Sequence, residues 1–160
     1  MNTSDLTATL TTLFAELTDG AQRESYVLNR GDAGLLRSLD KLSAADASQA
    51  ATGASIAAHV DHLRYGLSLM NRWAAGENPF ADADWSASWR ITAVSESEWQ
   101  RLRATLRTEA QRWLAAQRTP RDVSTTELNG MVGALAHLAY HLGAIRQIHR
   151  AAKGPAEQAE

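Results

Sequence analysis

Apolar residues recur along this chain at three- and four-residue intervals, and the strict alternation of a half-buried strand is missing. The pattern predicts an all-α protein. A first helix is expected from about Ser4 to Thr18, burying Leu6, Leu10, Leu13, Phe14 and Leu17 and stopping before Gly20. An irregular segment comes next, "YVLNRGDAGLLRSLDKLSAADAS". Its Asn29, Gly31, Asp32 and Gly34 are turn residues, and its "GLLRSLDKL" suits one or two short helical turns. A second helix starts near Gly53–Ser55, carries Ile56, Leu63, Leu67 and Met70 on its apolar stripe, and stops at Gly76. Residues 77–94 then form a long loop holding Pro79, Phe80, Trp85 and Trp89, placed to cover one end of a helical assembly. Ser95 with Glu98 is a capping-box pair that opens a third helix, with Trp99, Leu102, Leu106 and Trp113 inward. Pro120 ends that segment. Ser124 with Glu127 repeats the capping box and opens a fourth helix, running to Gly154–Pro155. Four helices of about 15 to 25 residues, joined partly by long connections, describe a four-helix bundle.

Length and charge narrow the class. The 160 residues suit one domain, 1–160, large enough to bury a continuous core. No stretch approaches the roughly 18–20 apolar residues of a membrane span, and no partnership with a membrane is expected. The start, "MNTSDLTATLTTLFAEL", has neither the basic lead nor the apolar run of a secretory signal, so a cytoplasmic location is expected. A net charge of -2 with mixed signs argues against a dedicated nucleic-acid partner. The chain has no cysteine, which excludes disulfides, thiolate metal sites and a cysteine nucleophile. Histidines and carboxylates are left as the strong metal ligands.

The histidines are where the apolar pattern is interrupted. "GALAHLAYHLGAIRQIHR", residues 133–150, places His137 and His141 one turn apart. At about 100° per residue both fall on the side of Ala134, Leu138 and Ile145, so both face inward. Gly130, Gly133, Ala134 and Ala144 surround them with small side chains, the composition of a cavity wall. The second helix has His59 and His62 at the edge of its own stripe, with Gly66 one turn beyond. Four of the five histidines therefore lie on the inward halves of two helices; His149 is assigned no role. Two imidazoles at i and i+4 with a third from a facing helix make a three-nitrogen metal set with an open position. Zinc, nickel, cobalt, iron and copper all accept such a set. The competing reading is a group of core histidines satisfied by hydrogen bonds. Helical geometry alone does not choose between His59 and His62 as the third ligand.

"SIAAHVDH" opening the second helix, "HLAYHLG" in the fourth and the long connections resemble, over nearly the whole chain, the DinB-like (YfiT-like) family of four-helix-bundle proteins. The resemblance implies a divalent metal, zinc or nickel in many members, held by one histidine of the second helix and both of the fourth. It implies His62, His137 and His141 as ligands, leaving His59 to support a ligand by hydrogen bonding or to replace His62. It implies a homodimer as well. One departure is that many members carry glutamine where this chain has Ala144.

Relatives of this kind include S-transferases using a low-molecular-weight thiol, bacillithiol or mycothiol, a mycothiol-dependent maleylpyruvate isomerase, and proteins described only as metal-dependent hydrolases. Transfer of a thiol to a small-molecule substrate is the leading expectation. Hydrolysis usually wants a general base beside the metal, and the glutamate of the HExxH pattern is replaced here by Leu138. Asp61 points about 100° away from His62, and Asp82 and Asp84 reach the site only if their loop folds over it. A non-catalytic, dimeric metal-binding stress protein is the remaining alternative. Tyr65, Gly66, Trp85, Trp89 and Tyr140 are candidates for a substrate pocket, with the two tryptophans as a lid, and Arg64 and Arg146 are candidate partners for a carboxylate-bearing thiol.

Overall fold

In the computed structural model residues 3–21, 24–51, 53–119 and 122–156 are described; the expected helix stop at Pro120 lies outside them. Among the described residues there are six α-helices and no strand. The long ones are α1 (Thr3–Asp19), α4 (Ile56–Ala74), α5 (Glu96–Arg118) and α6 (Thr125–Ile148); α2 (Gly34–Leu39) and α3 (Ala44–Ala47) are short. Single 3₁₀ turns occupy Ala87–Arg90 and Arg150–Ala152.

Local chemistry sets the helix starts. Ser95 and Ser124 form full capping boxes with Glu98 and Glu127, and the Ser55 hydroxyl accepts the Ala58 N–H at the start of α4. That same hydroxyl donates to the Ile91 carbonyl at 2.7 Å, tying the 77–94 loop to the head of α4. A further capping box, Ser43 with Asp46, opens α3.

Both α1 and α4 pack against both α5 and α6, closing a ring around one core. The expected stripes supply it: Phe14 and Leu17 from α1, Ile56, Leu63 and Leu67 from α4, Trp99, Leu106 and Trp113 from α5. Leu35, Leu36, Leu39 and Leu42 are buried as well, so the connection between α1 and α4, irregular in its sequence pattern, adds to the core through α2 and the turn after it. The Trp99 indole N–H donates to the Leu42 carbonyl at 2.8 Å, fixing that connection to α5.

The fourth long helix ends earlier than its composition suggests. It stops at Ile148, because His149 adopts an extended backbone (φ -130°, ψ 126°) and its Nδ1 accepts the Ala151 N–H. Nε2 of the same ring lies 3.1 Å from Asp46 Oδ1 of α3, and the 3₁₀ turn that follows packs against α2 instead of extending the helix. No described helix is long and apolar enough to cross a membrane.

Candidate metal centre

The histidines of α4 and α6 meet in one cluster. One ring nitrogen each from His62, His137 and His141 lie within 4.8 Å of one another. His137 Nε2 and His141 Nε2 are 2.9 Å apart, and His141 Nδ1 is 2.9 Å from His59 Nδ1. His141 thus sits between two imidazoles, using both nitrogens, and in each pair one ring must carry the hydrogen. The structure brings all four inward histidines together but gives them different parts: His62, His137 and His141 converge, and His59 stands behind His141.

These residues fit a metal ion. Two nitrogens on one tetrahedral ion with bonds of about 2.0–2.1 Å lie about 3.3 Å apart, between the closest pair here and the outer bound of the group. His62 Nδ1 is buried with no hydrogen-bond partner among the described residues. An unsatisfied buried polar atom costs about 1–3 kcal/mol, so the ring is held without being satisfied by the protein around it. His59 is placed to fix His141: with His141 protonated on Nδ1 and donating to His59, its Nε2 is the unprotonated, accepting nitrogen on the side of His137.

Burial keeps all four rings neutral. It is the leading cause of the lowered pKa of His59, His62 and His137; His59 adds to it at His62, with Asp61 opposing, and His62 adds to it at His137. His141 is pushed down to about 3, by burial and then by His137, His59 and His62. Neutral imidazole is the form that binds a metal. Because these pKa values lie below the ordinary 6.5, the unfolded chain binds more protons and stability rises with pH. In chelator, the stability contribution is expected to be complete above pH 6.5 and to fall as pH drops from 6.5 toward 3. Urea midpoints measured through this range check it, and His141→Gln is expected to flatten most the lower part of the fall, because His141 is the ring pushed furthest down.

The 77–94 loop folds over the cluster. The Trp89 ring lies 4.4 Å from that of His62, tilted 31°, and Trp85 lies 5.7 Å from both His62 and Tyr65. Besides the bond from Ser55, Tyr65 Oη accepts the Asp84 N–H, the Ser88 hydroxyl donates to Asp61 Oδ2 at 2.6 Å and Ser48 Oγ accepts the Val94 N–H, while inside the loop Ser86 donates to Asp84 Oδ1. Both tryptophans remain about two-fifths exposed, 41% and 40%. Tyr140 is 69% exposed and packs edge-on against His141, without lining the space between α4 and α6.

From His62 and His137 a cleft of about 770 Å³ runs between α4 and α6. Along α4 it passes Leu63, Gly66, Leu67 and Met70 to Trp73, and along α6 it passes Ala134 and Gly133 to Gly130 and Thr126. Trp73 packs edge-on to Phe80 and lies so close to Gly130 that an added Cβ would be 2.5 Å from its ring. Gly66 faces His137 and Trp85 rather than His62, and a Cβ there would make ordinary contacts of 3.5–3.7 Å. Ala144 does not line the cleft. A larger cleft, about 980 Å³, lies beside α1 away from every histidine; its Thr11 hydroxyl and Glu16 carboxylate already bond to Thr7 and to the backbone of 26–28.

The charged candidates are committed elsewhere. Arg64 pairs with Asp61 at 2.8 Å and Arg146 with Asp32 at 2.7 Å. Asp84 accepts from Ser86 and pairs with Arg90 at 3.1 Å, and Asp82 is exposed at the loop surface. What the sequence does not reveal is the role of Asp61 and Ser88, whose bond depends on a contact 27 residues apart along the chain. No family model, curated protein or solved structure matches this chain.

Proposed function

We propose that this protein is a metal-dependent enzyme of the DinB-like (YfiT-like) kind, built as a four-helix bundle, that transfers a low-molecular-weight thiol to an electrophile. The observation that carries the reading is the all-imidazole group of His62, His137 and His141 at the inner end of an apolar cleft. A divalent ion with an open position lowers the pKa of a coordinated thiol and supplies a thiolate at neutral pH. The chain's own residues do the rest. His59 holds the tautomer of His141, the Trp85 and Trp89 rings limit water at the cluster, and the cleft orients the acceptor. Thiol sulfur forms a bond to the acceptor carbon, the leaving group departs with its electron pair, and the thiol proton passes to solvent.

Hydrolysis is the weaker reading, since Asp61 and Asp84 are already occupied by Ser88, Arg64, Ser86 and Arg90. The test is formation of a thioether from monobromobimane and a panel of small thiols by zinc- or nickel-loaded protein. Turnover that chelator removes and metal restores is expected. Metal binding without acceleration over free metal for any thiol would sink the transferase reading.

A further inference from the structure

Among the described residues, no charged side chain lines the cleft between α4 and α6. Its polar side chains besides the two indoles are His62 and His137 at one end and Thr126 at the other. In between lie Leu63, Leu67, Met70, Phe80, Ala134 and Leu138. From His62 to Trp73 the helix advances about 16 Å, and the volume of about 770 Å³ falls within the range of small-molecule sites. Arg64 and Arg146, cations close in sequence to the histidines, are held by Asp61 and Asp32. An anionic group placed along the apolar stretch between the two ends would lose its hydration and gain no charged partner.

We propose that the acceptor bound here is an uncharged, largely apolar molecule of aryl or branched-alkyl type, lying along α4 and α6 with its reactive atom at the His62–His137 end. Acceptors whose carboxylate would lie along the apolar stretch are rejected by the same surface. As a substrate assignment this rests on the thiol-transfer reading above; as a binding site it does not need the metal. Small residues make the room. Gly133 has open space where a Cβ would be, and Gly130 lets the Trp73 ring lie against α6 to close the far end.

The experiment titrates metal-free protein with neutral N-phenylnaphthylamine and with its anionic counterpart anilinonaphthalenesulfonate, reading probe emission and energy transfer from tryptophan. One neutral probe per chain is expected, with the anion about tenfold weaker or more. Gly133→Trp is expected to abolish binding of the neutral probe, because a helical side chain leans toward the N-terminus and its indole would run into the cleft away from His137. Met70→Lys supplies the missing cation and is expected to reverse the preference. Equal binding of the two probes, or neutral-probe binding unchanged in Gly133→Trp, would overturn the proposal. Release of dimers into monomers by the probe would also overturn it, by showing that a second copy fills the cleft. Metal content and thioether formation are measured separately on the same samples. Failure of those alone removes the transferase reading and leaves the cleft's selectivity as found.

Discussion

Replacing His141 by alanine is expected to weaken zinc or nickel binding by about a thousandfold or more, the largest loss of any single change. Loss of a hydrogen-bonded supporter of a ligand costs roughly 10–100-fold, and His141 is itself one of the three converging nitrogens. Its two ring nitrogens also contact both His137 and His59. Its removal takes away a candidate ligand and unlocks two neighbours. Equilibrium competition with a calibrated chelator measures the change directly. Metal-induced thermal stabilisation gives an independent reading, because metal at about a thousand times its Kd adds about 4 kcal/mol. The metal-induced increment is the quantity to compare, since deleting a buried ring also changes the metal-free protein. His59→Ala is expected to fall in the smaller, roughly 10–100-fold class. Wild-type affinity in His141→Ala, or an equal loss in His59→Ala, would show that the three converging rings are not the metal-binding set.

The four long helices are legible in the sequence because each carries local signals that tertiary structure has no reason to override. Two complete capping boxes and an apolar stripe mark α5 and α6, and Ser55 and Gly76 bracket α4. The inward facing of four histidines follows from the same helical geometry. Their division of labour does not, because His59 and His62 differ only by rotation about α4 and the decisive contact, Nδ1 of His59 on Nδ1 of His141, is between helices. The early end of α6 is illegible for a similar reason: Ala151 and Ala152 are good helix formers, and it takes Asp46 and the His149 ring to turn the chain. The fates of Arg64 and Arg146 are hidden too. An exposed-looking arginine becomes an internal tether only once its carboxylate is brought to it by the fold.

That tether sets up the second large effect. Asp32→Ala is expected to destabilise the protein by about 3–5 kcal/mol, the cost of leaving one member of a buried ion pair alone. Asp32 is 3% exposed; its Oδ1 accepts the Gly34 N–H at 2.8 Å and Arg146 Nη2 at 2.7 Å. Arg146 also donates through Nε to the Ala152 carbonyl. Asp32 therefore joins the connection between α1 and α2 to the last turn of α6 and to the 3₁₀ turn after it. Removing the carboxylate strands a half-buried guanidinium and frees a backbone N–H, in a chain whose whole stability is of order 5–15 kcal/mol. For a chain of this length the melting temperature is expected to fall by about 6–20 °C. Asp32→Asn keeps an acceptor for Gly34 and is expected to cost less. A double-mutant cycle with Arg146→Met separates the pair from the backbone contact: if the ion pair carries the effect, the double variant is more stable than Asp32→Ala alone. A loss below about 1 kcal/mol for Asp32→Ala would place the pair among ordinary surface salt bridges. Metal affinity measured well below the melting temperature is expected to stay near wild type, because Arg146 lies more than one turn beyond His141 and directs its hydrogen bonds to Asp32 and Ala152, away from the cluster. The candidate metal centre and the tether share α6, but one is tested by ligand competition and the other by unfolding.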